Sequence, residues 1–498
     1  MRTTNLPDTP RTPALTLVVA ICLLLSACAA SGPPARVAVT APPQWYAPLP
    51  HNGSLASLSQ WWRQQNDPLL VELIEAAQAV SPSIVTARAN IEQARANRAA
   101  SQAALLPTLD ATGSFSRSVS APINRTAAVP ANLGQLGLQT SWELDLFGQN
   151  AASRDADQER FEGAQAQWHD ARVSVAAEVA MQYYSLLTCD KLRLVATADA
   201  GSRAETARLS ALATKAGFEA PATSALARAS AAESKARATQ QLAQCHVDIK
   251  ALVALTAFSE PALREKLTAA LAQAPSPERT EAFVTISDVP ADVLAQRPDV
   301  FNAARELAAA SFEVGSARAQ RYPRLNLTGN IMANKSRARG VTQGFETWSI
   351  GPLALTVPLF DGGASEANLE AAKARYEEAA GKYRSTCRQA VREVEEALVK
   401  LQSTGDRSGD IAQAAEGYQA SFAGTEARYK AGLASLVELE DARRALLSAQ
   451  SALVNLELER RSAWIALYRA LGGGWTTAAP YATARVFDIP ESAGPAWH

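Results

Sequence analysis

Residues 321–329, RYPRLNLTG, restate in altered form a phrase the chain has already used at residues 105–113, LLPTLDATG. The shift that carries position 105 onto 321 also lays SPSIVTA from Ser81 on RPDVFNA from Arg297, with Pro82 over Pro298. Further on, the shift drifts only slightly: LDLFGQ from Leu144 faces VPLFDG from Val357, and TKAGFEA from Thr214 faces YKAGLAS from Tyr429. Two repeats of roughly two hundred residues therefore fill most of the chain. A duplicated chain of 498 residues reads as one continuous body rather than as several unrelated domains.

Each copy of the phrase comes after a helical stretch and carries proline at its third position, where the strand begins and proline is tolerated. After Pro107, Leu109, Ala111, Gly113 and Phe115 share one face, and Thr108, Asp110, Thr112, Ser114 and Ser116 the other. After Pro323, Leu325, Leu327, Gly329 and Ile331 oppose Asn326, Thr328 and Asn330. Each repeat holds a second alternating segment, one carrying Leu136, Leu138, Thr140, Trp142, Leu144 and Leu146, the other Leu353, Leu355, Val357 and Leu359. Trp348 and Ile350 have the opposite parity to Leu353, with Gly351-Pro352 between them, which predicts a bulge. The pattern predicts two hairpins with polar loops near 118–132 and 333–346, giving four strands of roughly ten residues, long enough to span a bilayer when tilted. A strand edge cannot stay unpaired in lipid and the smallest single-chain barrels have about eight strands, so four strands imply an oligomer, three copies giving twelve. The strands of a small periplasmic sandwich alternate in the same way, so the alternation alone leaves both readings open.

The segment after each hairpin decides between them. No proline occurs in residues 131–220 or 359–479, and both stretches are dense in Ala, Leu, Glu, Gln, Lys and Arg, which predicts very long helices. Residues 151–215 would rise on the order of 100 Å at ~1.5 Å per residue. Each rod ends at a matching glycine, Gly217 or Gly432, and a second helix returns over about 222–255 and 436–471. A plain helical bundle would explain these rods but not the strands.

The N-terminus gives a compartment. Arg2 and Arg11 precede an apolar run over residues 15–25 that is too short to span a bilayer and ends in LSAC, residues 25–28. This reads as a secretory signal. LSAC resembles a bacterial lipobox, which implies that Cys28 is acylated and becomes the mature N-terminus; an ordinary signal cut at a small-residue site is the alternative. Ala29, rather than aspartate, then favours sorting to the outer membrane. After Cys28 no stretch of eighteen or more apolar residues occurs, so any crossing of a membrane uses strands. Lys plus Arg (48) nearly balance Asp plus Glu (49), which argues against a nucleic-acid or polyanion partner.

Three phrases carry a resemblance over nearly the whole mature chain: WWRQQNDPLLVELI from Trp61, RPDVFNAARELAAASFEVGSARAQRYPRLNLTG from Arg297, and RYKAGLASLVELEDARRALLSAQ from Arg428. They resemble the TolC/OprM outer-membrane efflux factors, in particular the lipoprotein branch labelled NodT-type. The resemblance implies a mainly α fold with a β-barrel portion, long antiparallel helical hairpins forming a periplasmic tunnel, and a homotrimer whose twelve strands close one barrel. It also implies docking to a periplasmic adaptor and an inner-membrane pump of the proton-driven resistance-nodulation-division class. The expected organisation is a signal peptide (1–27), a lipidated tether (28–60), a first repeat (61–257), a connector (258–296), a second repeat (297–471) and a tail (472–498). WWRQQNDPLLVELIEAA from Trp61 is expected to begin a helix, the β-hairpins are expected at about 107–147 and 323–360, and the helical hairpins at about 150–257 and 362–471.

No P-loop, HExxH, GxSxG or metal-spaced cysteine pair occurs, so neither catalysis nor a cofactor is expected. The histidines, His51, His169, His246 and His498, are scattered. The resemblance places a periplasmic constriction just after the second hairpin glycine, where the carboxylates are Glu438 and Asp441; three copies of such a group around an axis would favour cations. SLVE, residues 435–438, also has capping-box spacing, so Glu438 has a second reading as a helix-start residue. Gly217, Gly432, Tyr429 and Ser435 mark the tips expected to dock the adaptor. Where family members often carry a basic or aromatic lock this chain has Tyr429 but Ala434, and the first tip carries Thr223 where a carboxylate is common. Gly217 lies midway between Cys189 and Cys245 (217 − 189 = 245 − 217), which puts the two cysteines at similar heights on antiparallel helices and predicts a disulfide between them. Cys387 is left as a small apolar helix residue. The sequence thus reads as a passive exit duct for small molecules. A metal-ion duct is the alternative, poorly supported by only three methionines in the chain, and a non-conducting coiled-coil lipoprotein is the rival from another class.

Overall fold

The computed structural model describes residues 32–38, 61–65, 67–120, 129–272, 294 and 296–475. Signal peptide, Cys28, His51, His498, most of the expected connector and nearly all of the tail lie outside these residues. The duplication is visible element by element. Helix α3 (Pro82–Ala103) and its counterpart α7 (Pro298–Ala319) both have 22 residues. After them come the hairpins β1 (Thr108–Ser120) and β2 (Val129–Leu144), and β3 (Arg324–Ala338) and β4 (Val341–Thr356). The rods α4 (Gln149–Lys215) and α8 (Ala364–Lys430) have 67 residues each, about 100 Å at ~1.5 Å per residue. Their returns, α5 (Pro221–Thr256) and α9 (Leu436–Ala470), have 36 and 35 residues, and a short helix α6 (Glu260–Ala272) follows the first of them. Proline at the first turn of α3, α5 and α7 starts those helices without loss of an internal hydrogen bond.

Three expectations are corrected. The helix read from Trp61 is two helices, α1 (Trp61–Gln64) and α2 (Pro68–Val80): the Asp67 side chain accepts the Leu70 N–H at 3.2 Å and Pro68 opens the second helix, so the chain restarts there. The strands have 13 to 16 residues rather than ten. The loop expected near 333–346 is mostly strand, because Ala338 pairs with Val341 across a two-residue turn, Arg339-Gly340, with φ of 49° and 79°. Polar side chains on both faces there hide the alternation.

The described residues divide into two compact units, one holding those within 32–38, 88–164 and 301–386, the other those within 61–87, 165–300 and 387–475. In the first, the strands form one antiparallel sheet in the order β1-β2-β3-β4. In the same unit Leu307, Ala310, Val314 and Ala317 of α7 pack on Leu369, Ala372, Tyr376 and Ala380 of α8. Part of the stretch read as a tether lies on this cluster. Ser311 donates to the Pro33 carbonyl, Tyr376 Oη donates to the Pro34 carbonyl at 2.9 Å, and Val37 packs against the cluster. A Cβ on Gly32 would sit 2.1 Å from the Ser311 carbonyl oxygen, so only glycine passes there. Arg160 pairs with Glu313, and Phe147 stacks on Tyr322 with centroids 4.9 Å apart.

In the second unit Trp61 and Trp62 pack on Tyr468, and buried Asp67 accepts the Tyr183 hydroxyl at 3.0 Å. Arg297, nearly fully buried, bridges Asp299 (2.7 Å) and Glu393 (2.8 Å) and donates to the Ala470 carbonyl at 2.9 Å. Beside this clasp the Asp170 carboxyl is held above the usual carboxylate range, by burial first and then by the negative charge of Asp299.

Candidate channel wall and helix tips

The register assigns every strand residue to a face. Leu109, Ala111, Gly113 and Phe115 lie beside Thr140, Leu138, Leu136 and Gly134; Leu138 lies beside Ile331, and Ile331 beside Trp348. The bulge expected at Gly351-Pro352 is present. Leu327 pairs with Leu353 but Gly329 with Ile350, so β4 carries one extra residue, and this returns Trp348, Ile350, Leu353 and Leu355 to a single face. That face is apolar and bare, with Phe115 at 76 %, Trp348 at 75 % and Ile350 at 83 % exposure. An uncovered apolar patch across a whole sheet marks an interaction with lipid or protein.

The opposite face is bound together by side-chain hydrogen bonds across all four strands. Ser114 donates to Gln135 (3.3 Å), Gln135 to Asn334 (2.8 Å), and Asn334 to Thr347 (3.0 Å). Ser141 adds a bond to Asn326 at 3.1 Å. One wall thus presents hydrocarbon on one side and amides and hydroxyls on the other, with β1 and β4 as its two edges.

The rods end alike. Gly217 and Gly432 have φ of +84° and +77°, a backbone that favours glycine. Phe218 N–H bonds the Ala213 carbonyl and Gly217 N–H the Thr214 carbonyl; at the end of the second rod Leu433 to Arg428 and Gly432 to Tyr429 repeat both bonds. These are two copies of one glycine-terminated helix end. Phe218 and Leu433 stand exposed beside the glycines. Tyr429 packs on Ala207, Ala227, Leu436 and Leu439, and burial followed by the nearby Glu219 carboxylate pushes its hydroxyl pKa up.

Of the two carboxylates singled out from sequence, Glu438 takes part in the capping box: Ser435 N–H donates to its Oε2 at 2.7 Å while its own N–H reaches Ser435 Oγ at 3.2 Å. The Ser435 N–H, and then the Ser435 hydroxyl, hold its carboxyl below the ordinary range. Asp441 is exposed and faces Arg444 at 3.1 Å. Cys189 and Cys245 are joined as a disulfide between α4 and α5, with Cα atoms 5.5 Å apart.

Sequence reasoning missed the buried clasp a few turns from the tips. Arg203 of α4 holds Asp199 (2.9 Å), Ser230 of α5 (2.6 Å) and Glu440 of α9; Glu440 also takes Arg443 at 2.8 Å, which reaches Thr206 of α4 at 2.8 Å. All four charged side chains are less than a tenth exposed, so α9 is bound to the first hairpin by a network in which each charge has a partner.

The family described as outer membrane efflux protein matches residues 73–257 and again 289–473, two segments shifted against each other as the opening phrases are (289 − 73 = 321 − 105). The chain belongs to the outer membrane efflux protein family. The Pseudomonas putida solvent efflux pump outer membrane protein SrpC is 28% identical over 415 residues, 82% of this chain and 86% of that protein. The pyoverdine export outer membrane protein OpmQ of Pseudomonas aeruginosa is 28% identical over 467 residues, 92% of this chain and 96% of that protein. Among solved structures, the Neisseria gonorrhoeae MtrE outer membrane channel in its open state superposes with a TM-score of 0.70 at 25% identity, covering 89% of this chain and 97% of that one. In this outer membrane efflux protein the strands and long helices are therefore channel elements of an outer-membrane protein, and the apolar sheet face has a bilayer to meet.

Proposed function

We propose that three copies of this outer membrane efflux protein close one twelve-strand barrel and form a passive, lipid-anchored duct. The observation that carries the reading is the two-faced sheet with free edges at β1 and β4. Its apolar side suits hydrocarbon, its polar side suits a water-filled lumen, and lipid leaves no other way to satisfy the edge N–H and C=O groups than pairing with another sheet. Acylation at Cys28 holds each chain to the membrane. A periplasmic adaptor docks at the tips marked by Gly217, Gly432, Tyr429 and Ser435, and an inner-membrane pump of the resistance-nodulation-division class supplies the energy.

Asp441 is the carboxylate that lines the constriction, since Glu438 is engaged at the start of α9. The duct performs no chemistry. Its cargo is small organic molecules, as the relatives' solvent, antibiotic and pyoverdine export suggests. Native mass spectrometry of protein extracted in mild detergent tests this: a species at three times the lipidated chain mass is expected, and a stable lipidated monomer would overturn the barrel. Complementation of a channel-deleted strain against toluene or antibiotics tests the cargo class.

A further inference from the structure

The duplication makes the contacts inside one copy a template for contacts that one copy cannot make alone. β2 of the first repeat pairs with β3 of the second, with Leu144 opposite Leu325 at the base. Carried on past the strand ends, that register brings Phe147 to Tyr322, the pair whose rings stack. In the LDLFGQ and VPLFDG phrases the counterpart of Phe147 is Phe360, and the counterpart of Tyr322 in the first repeat is Leu106 (322 − 106 = 321 − 105). Both are left bare, Phe360 at 92 % and Leu106 at 61 % exposure. They flank β4 and β1, the two edges of the sheet.

We propose that these edges meet between copies in the geometry of the β2–β3 seam. β4 of one copy pairs antiparallel with β1 of the next, Val357 opposite the partner's Leu109, Leu355 opposite the partner's Ala111, Leu353 opposite the partner's Gly113, and Phe360 seats on the partner's Leu106. This rests on the trimeric barrel and goes beyond it by setting which residues form the seam. Two observations support the register. Leu109, Ala111, Gly113, Leu353 and Leu355 belong to the apolar face and Val357, just past the end of β4, continues the same alternation, so that face runs unbroken across the joint, whereas a one-residue slip would turn β1's apolar set into the lumen. In the helices next to the strands, Arg160 of α4 pairs with Glu313 and Glu306 of α7. The counterpart of Arg160 is Arg375 (375 − 160 = 432 − 217), which within its own copy faces Glu313 at 3.7 Å, and those of Glu313 and Glu306 are Asn97 and Asn90 on α3 (313 − 97 = 306 − 90 = 321 − 105), Asn97 accepting from Gln93 at 2.9 Å, so the joint would set neutral amides rather than carboxylates beside that guanidinium.

The test uses cysteine pairs in a Cys387→Ser background, oxidised in membranes with copper phenanthroline and resolved without reductant. Directly opposed residues sit about 4.5–5.5 Å apart at Cα, within disulfide reach, while diagonal neighbours are about 7–8 Å apart. Leu355→Cys with Ala111→Cys, and Phe360→Cys with Leu106→Cys, are expected to give covalent dimer and trimer; Leu355→Cys with Gly113→Cys is expected to stay monomeric. Linkage of the shifted pair in place of the matched pair overturns the register. No linkage in samples that native mass spectrometry shows to be trimers overturns the seam while the trimer stands, and monomers throughout remove the barrel and the seam together.

Discussion

At the level of single residues, two carboxylates close together on one helix show how environment separates roles. Glu438 and Glu440 both lie near the start of α9, yet one is exposed in a capping box and the other buried between two arginines. Glu440→Ala leaves Arg443 as a buried charge with no carboxylate and Arg203 with Asp199 alone, a loss of roughly 3–5 kcal/mol. Amide exchange across residues 436–446 is expected to speed up strongly in Glu440→Ala and only slightly in Glu438→Ala. His169 gives a pH prediction: burial, and then Arg172, lower its pKa from 6.5 to about 4. Between those values the unfolded chain binds a proton that the folded chain refuses, so stability falls as pH drops from about 6.5 to about 4. His169→Gln is expected to lose less melting temperature over that window than the parent protein, as a pair of thermal scans at pH 7 and pH 4 would show.

Among the elements, the hairpins divide into parts readable from sequence and parts not. The rods, their glycine ends and the bulge at Gly351-Pro352 are legible because proline-free runs, φ-permissive residues and parity breaks are local signals. The Arg339-Gly340 turn is not, because it lacks the Asn-Gly signature and sits among residues polar on both faces. Nor is the clasp of Asp199, Arg203, Glu440 and Arg443: along a single helix, charges three or four apart read as a solvated face, and only the meeting of α4, α5 and α9 buries them. The α4–α5 hairpin is closed by the Cys189–Cys245 disulfide over a separation of 56 residues. Cutting that loop with Cys189→Ser is expected to weaken the hairpin by roughly 2–4 kcal/mol. Hydrogen exchange should locate the loosening in residues 190–245 and leave the sheet unchanged.

For the whole molecule, the two faces of the sheet make opposite demands. Ile350→Lys puts a charge on the apolar face, at a cost of roughly 2–4 kcal/mol at the bilayer midplane, and is expected to reduce the trimer recovered from membranes. Gln135→Lys on the hydrogen-bonded face is expected to leave trimer yield intact and to shift single-channel ion preference toward anions. Asp441→Asn is expected to weaken cation preference without altering assembly, a result planar-bilayer recording can separate from the sheet variants. The docked segment at residues 32–38 adds a kinetic consequence. Gly32 comes only four positions after Cys28, and its neighbours Pro33 and Pro34 are fastened to α7 and α8, so an acyl anchor at Cys28 lies within about 14 Å of chain from that pair of helices. With a leash this short, the proposed acylation would make strand insertion a tethered event at high effective concentration and would confine the encounter between copies to two dimensions.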